Sequence, residues 1–217
     1  MALAIFDLDN TLLGGDSDYL WGRFLAENQI VDPEAYHETN LVFYHDYQAG
    51  RLDINAFLEF VFTPLKENSM DDLLKWRSEY LQQKIMPIML PKAQALVDKH
   101  REQGDTLLII TATNSFLTAP IAEKLGIENL IATEPEQVDG KFTGKVSGIP
   151  SFQHGKVARL KDWLANNQLS LAGSIFYSDS HNDLPLLEKV DTPVAVDPDE
   201  TLQQIAEQRG WKILSLR

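Results

Sequence analysis

The chain has 217 residues, 44% of them hydrophobic, which predicts one sizeable domain, alone or with a small accessory unit. Its 32 acidic and 19 basic residues give a formal net charge of −13 without a cluster of Lys and Arg, which argues against nucleic acid and anionic membranes as partners. Cysteine is absent, which excludes disulfides, thiolate catalysis and sulfur-ligated zinc.

The N-terminal segment MALAIFDLDN indicates a soluble protein without a targeting signal. It lacks a basic start, a long apolar stretch and a cleavage site, and no run in the chain approaches membrane-spanning length. Together with the absence of cysteine, these features predict a cytoplasmic location. The sequence does not indicate an oligomeric state.

The first predicted element is a short apolar strand that ends in two aspartates. In the segment from Ala4 to Leu13, AIFDLDNTLL, Asp7 and Asp9 lie two positions apart. Because strand side chains alternate between faces, both carboxylates are expected to point the same way. Two like charges so close together need a cation or a proton beside them. The segment therefore predicts a positively charged group at this strand end.

Residues 14–86 predict an all-helical unit. After Gly14 and Gly15, stretches such as AFLEFVF and LLKWRSEYLQQ carry aromatic residues and leucines at three- and four-residue intervals. No strand-like run interrupts them. We interpret residues 14–86 as a cap domain inserted after the first strand.

From Pro87 the pattern changes to strands that alternate with helices. KAQALVDKHREQGD predicts an amphipathic helix, and TLLIITAT predicts a buried strand. A helix from Ser115 to Leu125, a hairpin turn at Asp139-Gly140 and a helix from Gly155 to Asn167 follow. The predicted strands are TLLIITAT, NLIAT, SIFYSD, PVAVD and WKILSL. This alternation predicts an α/β fold with a doubly wound parallel sheet, in which residues 1–13 and 87–217 form the core domain.

Several chemistry-bearing side chains are expected to meet at the carboxyl edge of this sheet, where such folds bind ligands. Thr111 follows TLLII, Lys156 lies at the start of a helix, and Asp179 follows SIFYS. Oxygen ligands at this density suit Mg²⁺, which takes one or two carboxylates together with water and a substrate phosphate. The combination predicts a magnesium-dependent site for a phosphorylated ligand.

These residues resemble the motifs of the haloacid dehalogenase-like phosphohydrolase superfamily. The four motifs correspond to FDLDNT, ITAT, the GK of QHGKVARL, and YSDSHND. The resemblance implies a Rossmann-like core, and the helical insertion resembles the small cap of the phosphoserine phosphatase-like branch. It implies that Asp7 is a nucleophile that forms an aspartyl-phosphate and that Asp9 is the general acid and base. The dehalogenases themselves resemble the pattern without the second aspartate, so Asp9 argues against dehalogenation.

The resemblance also implies the phosphate-binding and metal-binding residues. The residues implied to hold phosphate are Thr111, Ala112, Lys156 and Asn182. The residues implied to bind or support Mg²⁺ are Asp7, Asp9 through its main-chain carbonyl, Asp179 and Asp183. The implied activity is hydrolysis of a small phosphorylated metabolite.

The substrate is predicted to carry an amine without a carboxylate. In phosphoserine phosphatases an acid after the first motif recognises the substrate amine, and Asp16 occupies that neighbourhood. The cap arginine that those enzymes use for the substrate carboxylate has no counterpart between Leu52 and Leu65, where Glu59 lies instead. Through GGDSDYLWG and the closing VAVDP with GW before the last strand, the chain resembles bacterial histidinol-phosphate phosphatases of this branch, with Asp16 or Glu59 expected at the ammonium group. Phosphoserine or another small amino-alcohol phosphate is the alternative substrate.

Three functions of other classes are also compatible with the sequence. A non-hydrolytic phospho-binding or signalling module would gather aspartates, a threonine and a lysine around Mg²⁺ as well, although receiver domains are shorter and lack an inserted cap. A phosphotransferase to a second acceptor would form the same aspartyl-phosphate. A catalytically silent scaffold is the third possibility, and intact Asp7, Asp9, Lys156 and Asp179 argue against it.

Overall fold

The computed structural model describes residues 2–217, so that Met1, the first residue of the predicted core segment, lies outside the described residues. The strands are β1 (Leu3–Phe6), β2 (Thr106–Asn114), β3 (Asn129–Thr133), β4 (Pro135–Val138), β5 (Lys141–Val146), β6 (Ile175–Ser178), β7 (Thr192–Val196) and β8 (Lys212–Leu214). The α-helices are α1 (Ser17–Glu27), α2 (Pro33–Gln48), α3 (Ile54–Glu67), α4 (Met70–Tyr80), α5 (Pro91–Glu102), α6 (Ser115–Leu125), α7 (His154–Asn167), α8 (Leu184–Leu187) and α9 (Glu200–Arg209).

Six of the strands form one parallel sheet with helices on both faces. The strand order is β3-β2-β1-β6-β7-β8, and each neighbouring pair is parallel. Along β1, Ala4 and Phe6 pack with residues of α5 and α6, whereas Leu3 and Ile5 pack with residues of α7, α8 and α9. This alternation follows from the two-residue period of a strand. The predicted doubly wound α/β fold is confirmed.

Four helices are inserted between β1 and β2. α1 to α4 are followed by a π-helical turn, Leu81–Ile85, and a 3₁₀ turn, Met86–Ile88. An isolated bridge between Leu13 and Met89 ties the two ends of the insertion together. Buried insertion residues such as Trp21 and Tyr80 belong to the same apolar cluster as one face of the sheet. The division into residues 14–86 and the remainder therefore stays a prediction.

Local sequence signals account for the element boundaries. α1, α2 and α3 begin after Asp16, Asp32 and Asp53, whose side chains accept hydrogen bonds from backbone N–H groups of the first turn. The predicted hairpin joins β4 and β5, where Asp139 and Gly140 have φ of +50° and +76°. Positive φ at both central residues matches the right-handed strand twist of a tight hairpin. None of the helices within residues 2–217 is long and apolar enough to cross a membrane.

Candidate active site

The two aspartates of the first motif line one cavity at the carboxyl end of β1. Asp7 is 6% exposed, and it lies directly after the last strand residue. β1 ends at Phe6, so Asp9 belongs to a turn, and the strand alternation predicted from the sequence does not orient it. The turn is closed by the backbone N–H of Leu12, which donates to the carbonyl of Leu8 at 2.9 Å. Turn geometry, rather than pleat geometry, brings the second carboxylate into the site.

Lys156 is the cation that the acidic strand end requires. Its ammonium Nζ donates to Asp7 Oδ1 and to Asp183 Oδ2, each at 2.8 Å, and the residue is 3% exposed. Burial alone would lower the pKa of this lysine, but Asp183 and Asp7 outweigh burial and raise the pKa. The preceding Gly155 permits this placement, since a Cβ there would lie 2.0 Å from the carbonyl oxygen of Pro150. Lys156 is therefore held fully charged beside Asp7.

The Asp183 carboxylate binds the ammonium group of Lys156. Its carboxylate lies 2.7 to 2.8 Å from the Lys156 ammonium, and Oδ2 also accepts from the Ser178 hydroxyl at 2.7 Å. The predicted place of Asp183 among the residues that bind or support Mg²⁺ stays a prediction. Asp183 orients Lys156 toward Asp7.

Asp9 lies in surroundings that favour a shared or transferable proton. Its Oδ1 accepts from the backbone N–H of Ser17 at 2.7 Å, and its Oδ2 accepts from the Thr113 hydroxyl at 2.8 Å. Burial, together with the negative charge of Asp16, raises the pKa of Asp9 to about 6, although these donors counteract the rise. A carboxyl with a pKa near neutrality exchanges protons readily at physiological pH.

The second motif lies within β2, which extends one residue beyond the predicted strand TLLIITAT. β2 extends to Asn114, with an irregular register between Ile110 and Asn114, so Thr111 lies within the strand. Thr111, Ala112 and Thr113 line the cavity. Thr111 Oγ1 is 3.5 Å from Asp9 Oδ2 and accepts from the backbone N–H of Thr113 at 3.2 Å. The irregular strand end thus presents hydroxyl and backbone groups to the cavity.

A second carboxylate approaches Asp7 from the end of β6. The Thr11 hydroxyl lies 3.1 Å from Asp179 Oδ1 and 3.4 Å from Asp7 Oδ2. Burial raises the pKa of Asp7 to about 7, with Lys156 opposing the rise and Asp183 and Asp9 adding to it. Burial, with Asp7 and Asp183, raises the pKa of Asp179 well above its ordinary value. The two neighbouring carboxylates thus carry more negative charge than Lys156 balances.

The donor set fits a magnesium ion that keeps part of its water shell. Within residues 2–217, no group of three or more His, Cys, Asp or Glu side chains is arranged to hold a metal by itself. Mg²⁺ does not need such a group, because one or two carboxylates with waters and a phosphate complete its coordination. Asp7 and Asp179, which both lie against the Thr11 hydroxyl, are the two carboxylates that would fit this requirement. A divalent cation would also offset the repulsion that raises both pKa values.

Asn182 connects the core to the helical insertion. Its Nδ2 donates to the backbone carbonyl of Tyr47 at 3.0 Å, and its Oδ1 accepts from Gln153 Nε2 at 2.9 Å. The Tyr47 hydroxyl in turn donates to Ser180 Oγ at 3.2 Å. Asn182 lines the cavity, but its amide is engaged in this link. The contact between Asn182 and phosphate that the sequence predicts is therefore untested.

The cavity extends from these residues to the inserted helices and encloses about 700 Å³, including part of its opening to solvent. Asp16 lines it, and its carboxylate accepts from the backbone N–H of Tyr19 at 2.8 Å. The cavity residues contributed by the insertion and by the loop before α7 are mostly aromatic or aliphatic: Tyr19, Phe43, Tyr44, Tyr47, Leu52, Ile54, Phe57 and Phe152. Among the described residues, Lys156 is the only Lys or Arg that lines it.

Glu59 does not belong to this cavity. It is exposed on α3, and the cavity residues nearest in sequence are Ile54 and Phe57. The expectation that Glu59 meets a substrate ammonium group is corrected: helical periodicity points Phe57 inward and Glu59 to solvent.

Several residues that the structure brings to the site were not predicted from the sequence. Among them are Thr11, Asp18, Asn40, Thr113 and Ser178. Thr11, Thr113 and Ser178 fall within the quoted motifs FDLDNT, ITAT and YSDSHND, so their spacing was a usable signal. Asp18 and Asn40 carried no such signal, because an acid in a first helical turn and an asparagine within a helix are common.

Comparisons with known proteins agree with this geometry. The family model described as haloacid dehalogenase-like hydrolase matches residues 4–188. The histidinol-phosphatase of Neisseria meningitidis serogroup C is 43% identical over 219 residues, covering 99% of both chains. A phosphoserine phosphatase of Mycobacterium tuberculosis is 32% identical over 229 residues, covering 100% of this chain and 71% of that protein.

Solved structures show the same architecture. A Bordetella pertussis Tohama I protein described as of unknown function has a TM-score of 0.94 and 43% identity, covering 100% of this chain and 99% of that one. A phospho-aspartyl intermediate analogue of phosphoserine phosphatase has a TM-score of 0.73 at 19% identity, covering 100% and 93%. The second likeness concerns the fold alone.

Proposed function

The chain belongs to the haloacid dehalogenase-like hydrolase family, and from this premise we propose that it is a magnesium-dependent phosphatase of histidinol phosphate that works through an aspartyl-phosphate. That it is a phosphatase of this family follows from the family match and from the relatives. The substrate, the metal and the residue roles are our proposal. The observation that carries it is the convergence of Asp7, Asp9 and Lys156 in one buried site.

The first half-reaction transfers the phosphoryl group to the protein. A carboxylate oxygen of Asp7 attacks phosphorus, and the bond between phosphorus and the ester oxygen breaks. The leaving alkoxide takes a proton from Asp9, whose raised pKa of about 6 makes the protonated form accessible near neutral pH. Lys156 balances charge on the transferring group and on Asp7, as phosphoryl transfer requires.

The second half-reaction returns the enzyme to its starting state. Asp9, now ionised, accepts a proton from a water molecule as the water oxygen attacks phosphorus. The bond between phosphorus and the Asp7 oxygen breaks, releasing inorganic phosphate and the free carboxylate. The hydroxyl of Thr111 and the N–H groups at the irregular end of β2 are suited to hold phosphate oxygens during both steps.

Mg²⁺ is the proposed cofactor. Asp7, Asp179 and the main-chain carbonyl of Asp9 would hold it, and it would supply positive charge to the phosphoryl oxygens. The raised pKa values of Asp7 and Asp179 support a cation at this position, since both carboxylates must be ionised to act.

The composition of the cavity supports a cationic substrate without a carboxylate. Apart from Lys156, which Asp7 and Asp183 already engage, no Lys or Arg of residues 2–217 lines it. Arg51 and Lys66, the cations that flank the segment from Leu52 to Leu65, are both exposed, and Arg51 pairs with Asp46. Asp16 offers a carboxylate for an ammonium group. Histidinol phosphate carries an amine and no carboxylate, and the Neisseria relative bears its name.

The nucleophile is tested by Asp7→Asn with p-nitrophenyl phosphate and Mg²⁺. We expect turnover to fall by about 10³-fold or more, because an amide oxygen cannot form the acyl phosphate. Folding should survive, because the substitution removes one of several crowded negative charges. Asp162→Asn, at an exposed acid of α7, is the matched control and should keep normal activity. Ordinary turnover by Asp7→Asn would remove the nucleophile assignment.

The substrate is tested by comparing kcat/KM for histidinol phosphate, phosphoserine and phosphoethanolamine. We expect histidinol phosphate to exceed both by at least about tenfold, which corresponds to one lost polar contact. A wide margin in favour of phosphoserine would contradict the argument from the missing cap cation. Release of inorganic phosphate measures all three reactions in the same way.

A further inference from the structure

Asp18 is a buried carboxylate of the cavity that the proposed chemistry does not use. It lies in the first turn of α1, is 8% exposed and lines the cavity on the side of the inserted helices. Asp7, Asp9 and Asp16 each accept hydrogen bonds from protein donors. The Asp18 side chain makes no hydrogen bond or ion pair with any residue that the structure describes. A carboxylate that lines the cavity without a donor from the described residues is suited to accept a hydrogen bond from a ligand.

Asn40 lies against the same side of α1. Gly22 is four residues after Asp18, so both occupy one face of the helix. A Cβ at Gly22 would lie 2.7 Å from Asn40 Nδ2, which shows how closely the amide approaches that face. Asn40 is buried, lines the cavity and has no side-chain hydrogen bond with another residue of the described chain. Asp18 and Asn40 thus both line the cavity, and α1 carries Asp18 and also packs against Asn40.

The charge around Asp18 favours a donor from the ligand. Burial, with contributions from Asp16 and Asp9, raises the pKa of Asp18 well above its ordinary value. No cation of the described residues that line the cavity relieves this, because its one lysine, Lys156, is engaged by Asp7 and Asp183. A ligand N–H group or cation would stabilise the ionised carboxylate.

Aromatic side chains border the same region. Phe43 and Phe57 both line the cavity and pack edge to face, with ring centroids 5.4 Å apart. The ring centroids of Tyr19 and Tyr44 are also 5.4 Å apart. Flat walls of this kind suit a planar ring on the ligand.

We propose that Asp18 and Asn40 form a specificity subsite for the nitrogen heterocycle of the substrate, separate from the amine, which Asp16 binds. The carboxylate accepts from the ring N–H, and the Asn40 amide pairs with the second ring nitrogen. This complementarity matches an imidazole, which has one N–H and one further nitrogen. The inference rests on the proposed function and deepens it by assigning the residues that recognise the end remote from phosphate.

The test is Asp18→Asn assayed with histidinol phosphate, phosphoethanolamine and p-nitrophenyl phosphate. Phosphoethanolamine keeps the amine and lacks the ring, so it reports on the remainder of the site. We expect kcat/KM for histidinol phosphate to fall by about 10- to 100-fold, the effect of one charge-assisted hydrogen bond. The other two substrates should change less than about twofold. Asn40→Ala should lower the same substrate ratio in the same direction.

Glu38→Gln is the matched control, since Glu38 is an exposed acid on α2 outside the cavity, and it should change no substrate. Thermal unfolding of Asp18→Asn should show no loss of stability, because the substitution removes a buried charge. Unchanged hydrolysis of histidinol phosphate by Asp18→Asn, or an equal loss on all three substrates, would overturn the subsite alone. If the wild-type protein hydrolysed p-nitrophenyl phosphate but not histidinol phosphate, the proposed substrate and the subsite would both fall.

Discussion

The two carboxylates of the first motif differ in what surrounds them. Asp7 contacts the Lys156 ammonium, whereas Asp9 receives only uncharged donors, from Ser17 and Thr113. A neighbouring cation favours the ionised form, and burial without one favours the protonated form. Burial nevertheless raises the pKa of Asp7 to about 7, above the value of about 6 for Asp9, so the asymmetry that a nucleophile and a proton donor need requires a further cation beside Asp7.

Replacement of Thr113 by Val tests the environment of Asp9. Loss of the 2.8 Å hydrogen bond removes a donor that stabilises the ionised carboxylate, so the pKa of Asp9 should rise above about 6. Because protonated Asp9 donates to the leaving group, activity falls as pH rises through this pKa. We expect the alkaline limb of the kcat profile to move to higher pH by about one unit. The profile is measured with a small alkyl phosphate, whose alkoxide needs the proton.

Thr113→Ser keeps the hydroxyl and is the control, with a profile like that of the wild-type protein. A Thr113→Val profile that dropped in height without moving along the pH axis would argue that Thr113 only fills space.

At the scale of elements, the end of α2 is tied to the loop that follows β6. Asn182 and Ser180 form hydrogen bonds with Tyr47 near the end of α2. Gly50, just after α2, lies close to the neighbouring His181. Gly50 has φ of +68°, and a Cβ there would lie 2.8 Å from His181 Nε2. The His181 ring cannot swing away freely, because its Nδ1 shares a 2.8 Å hydrogen bond with Asp199. These contacts hold the end of α2 against the loop after β6, which carries Asp179.

Gly50→Ala should therefore destabilise the protein for two reasons, the positive φ and the contact with His181. The φ cost alone is about 1–2 kcal/mol, and the overpacking adds about 1 kcal/mol or more to the loss in free energy of unfolding. Gly148→Ala is the matched control, because Gly148 has φ of +74° and nothing within 4 Å of the added Cβ. Urea unfolding of both variants measures the difference. Equal losses would show that the contact with His181 carries no cost.

Element identity was predictable where periodicity and caps agree. The helix from Ser115 to Leu125 and the strand NLIAT have the predicted bounds, because Asn114 caps the helix and Gly126 ends it. The exit from β1 and the end of β2 were not predictable in detail. There, turn hydrogen bonds and an irregular register decide where Asp9 and Thr111 lie. Such features depend on neighbouring strands, which local patterns do not describe.

At the scale of the whole molecule, the convergence of the motif residues was predictable from the sequence. Which residues of the inserted helices line the cavity was not. The carboxyl-edge rule for parallel sheets brings Asp7, Lys156 and Asp179 together from distant segments. No comparable rule indicates which acids of four packed helices face inward. Glu59 was expected inside and is exposed, whereas Asp18 lines the cavity. Periodicity separates Phe57 from Glu59 within α3, but it does not indicate that Asp18 of α1 lines the cavity.

The excess of buried negative charge predicts that the folded protein is stabilised by Mg²⁺. Asp7 and Asp179 repel each other in the folded state, and an ion that binds only this state raises its stability by mass action. At a concentration about 100-fold above the dissociation constant, the gain is about 2.7 kcal/mol. For a chain of this size we expect Tm to rise by roughly 5–10 °C in thermal unfolding, relative to NaCl of equal ionic strength. Asp179→Asn should unfold at a higher temperature than the wild-type protein without metal and should lose most of the Mg²⁺-dependent rise. An equal rise in the wild-type protein and in Asp179→Asn would place the ion away from the acidic pair.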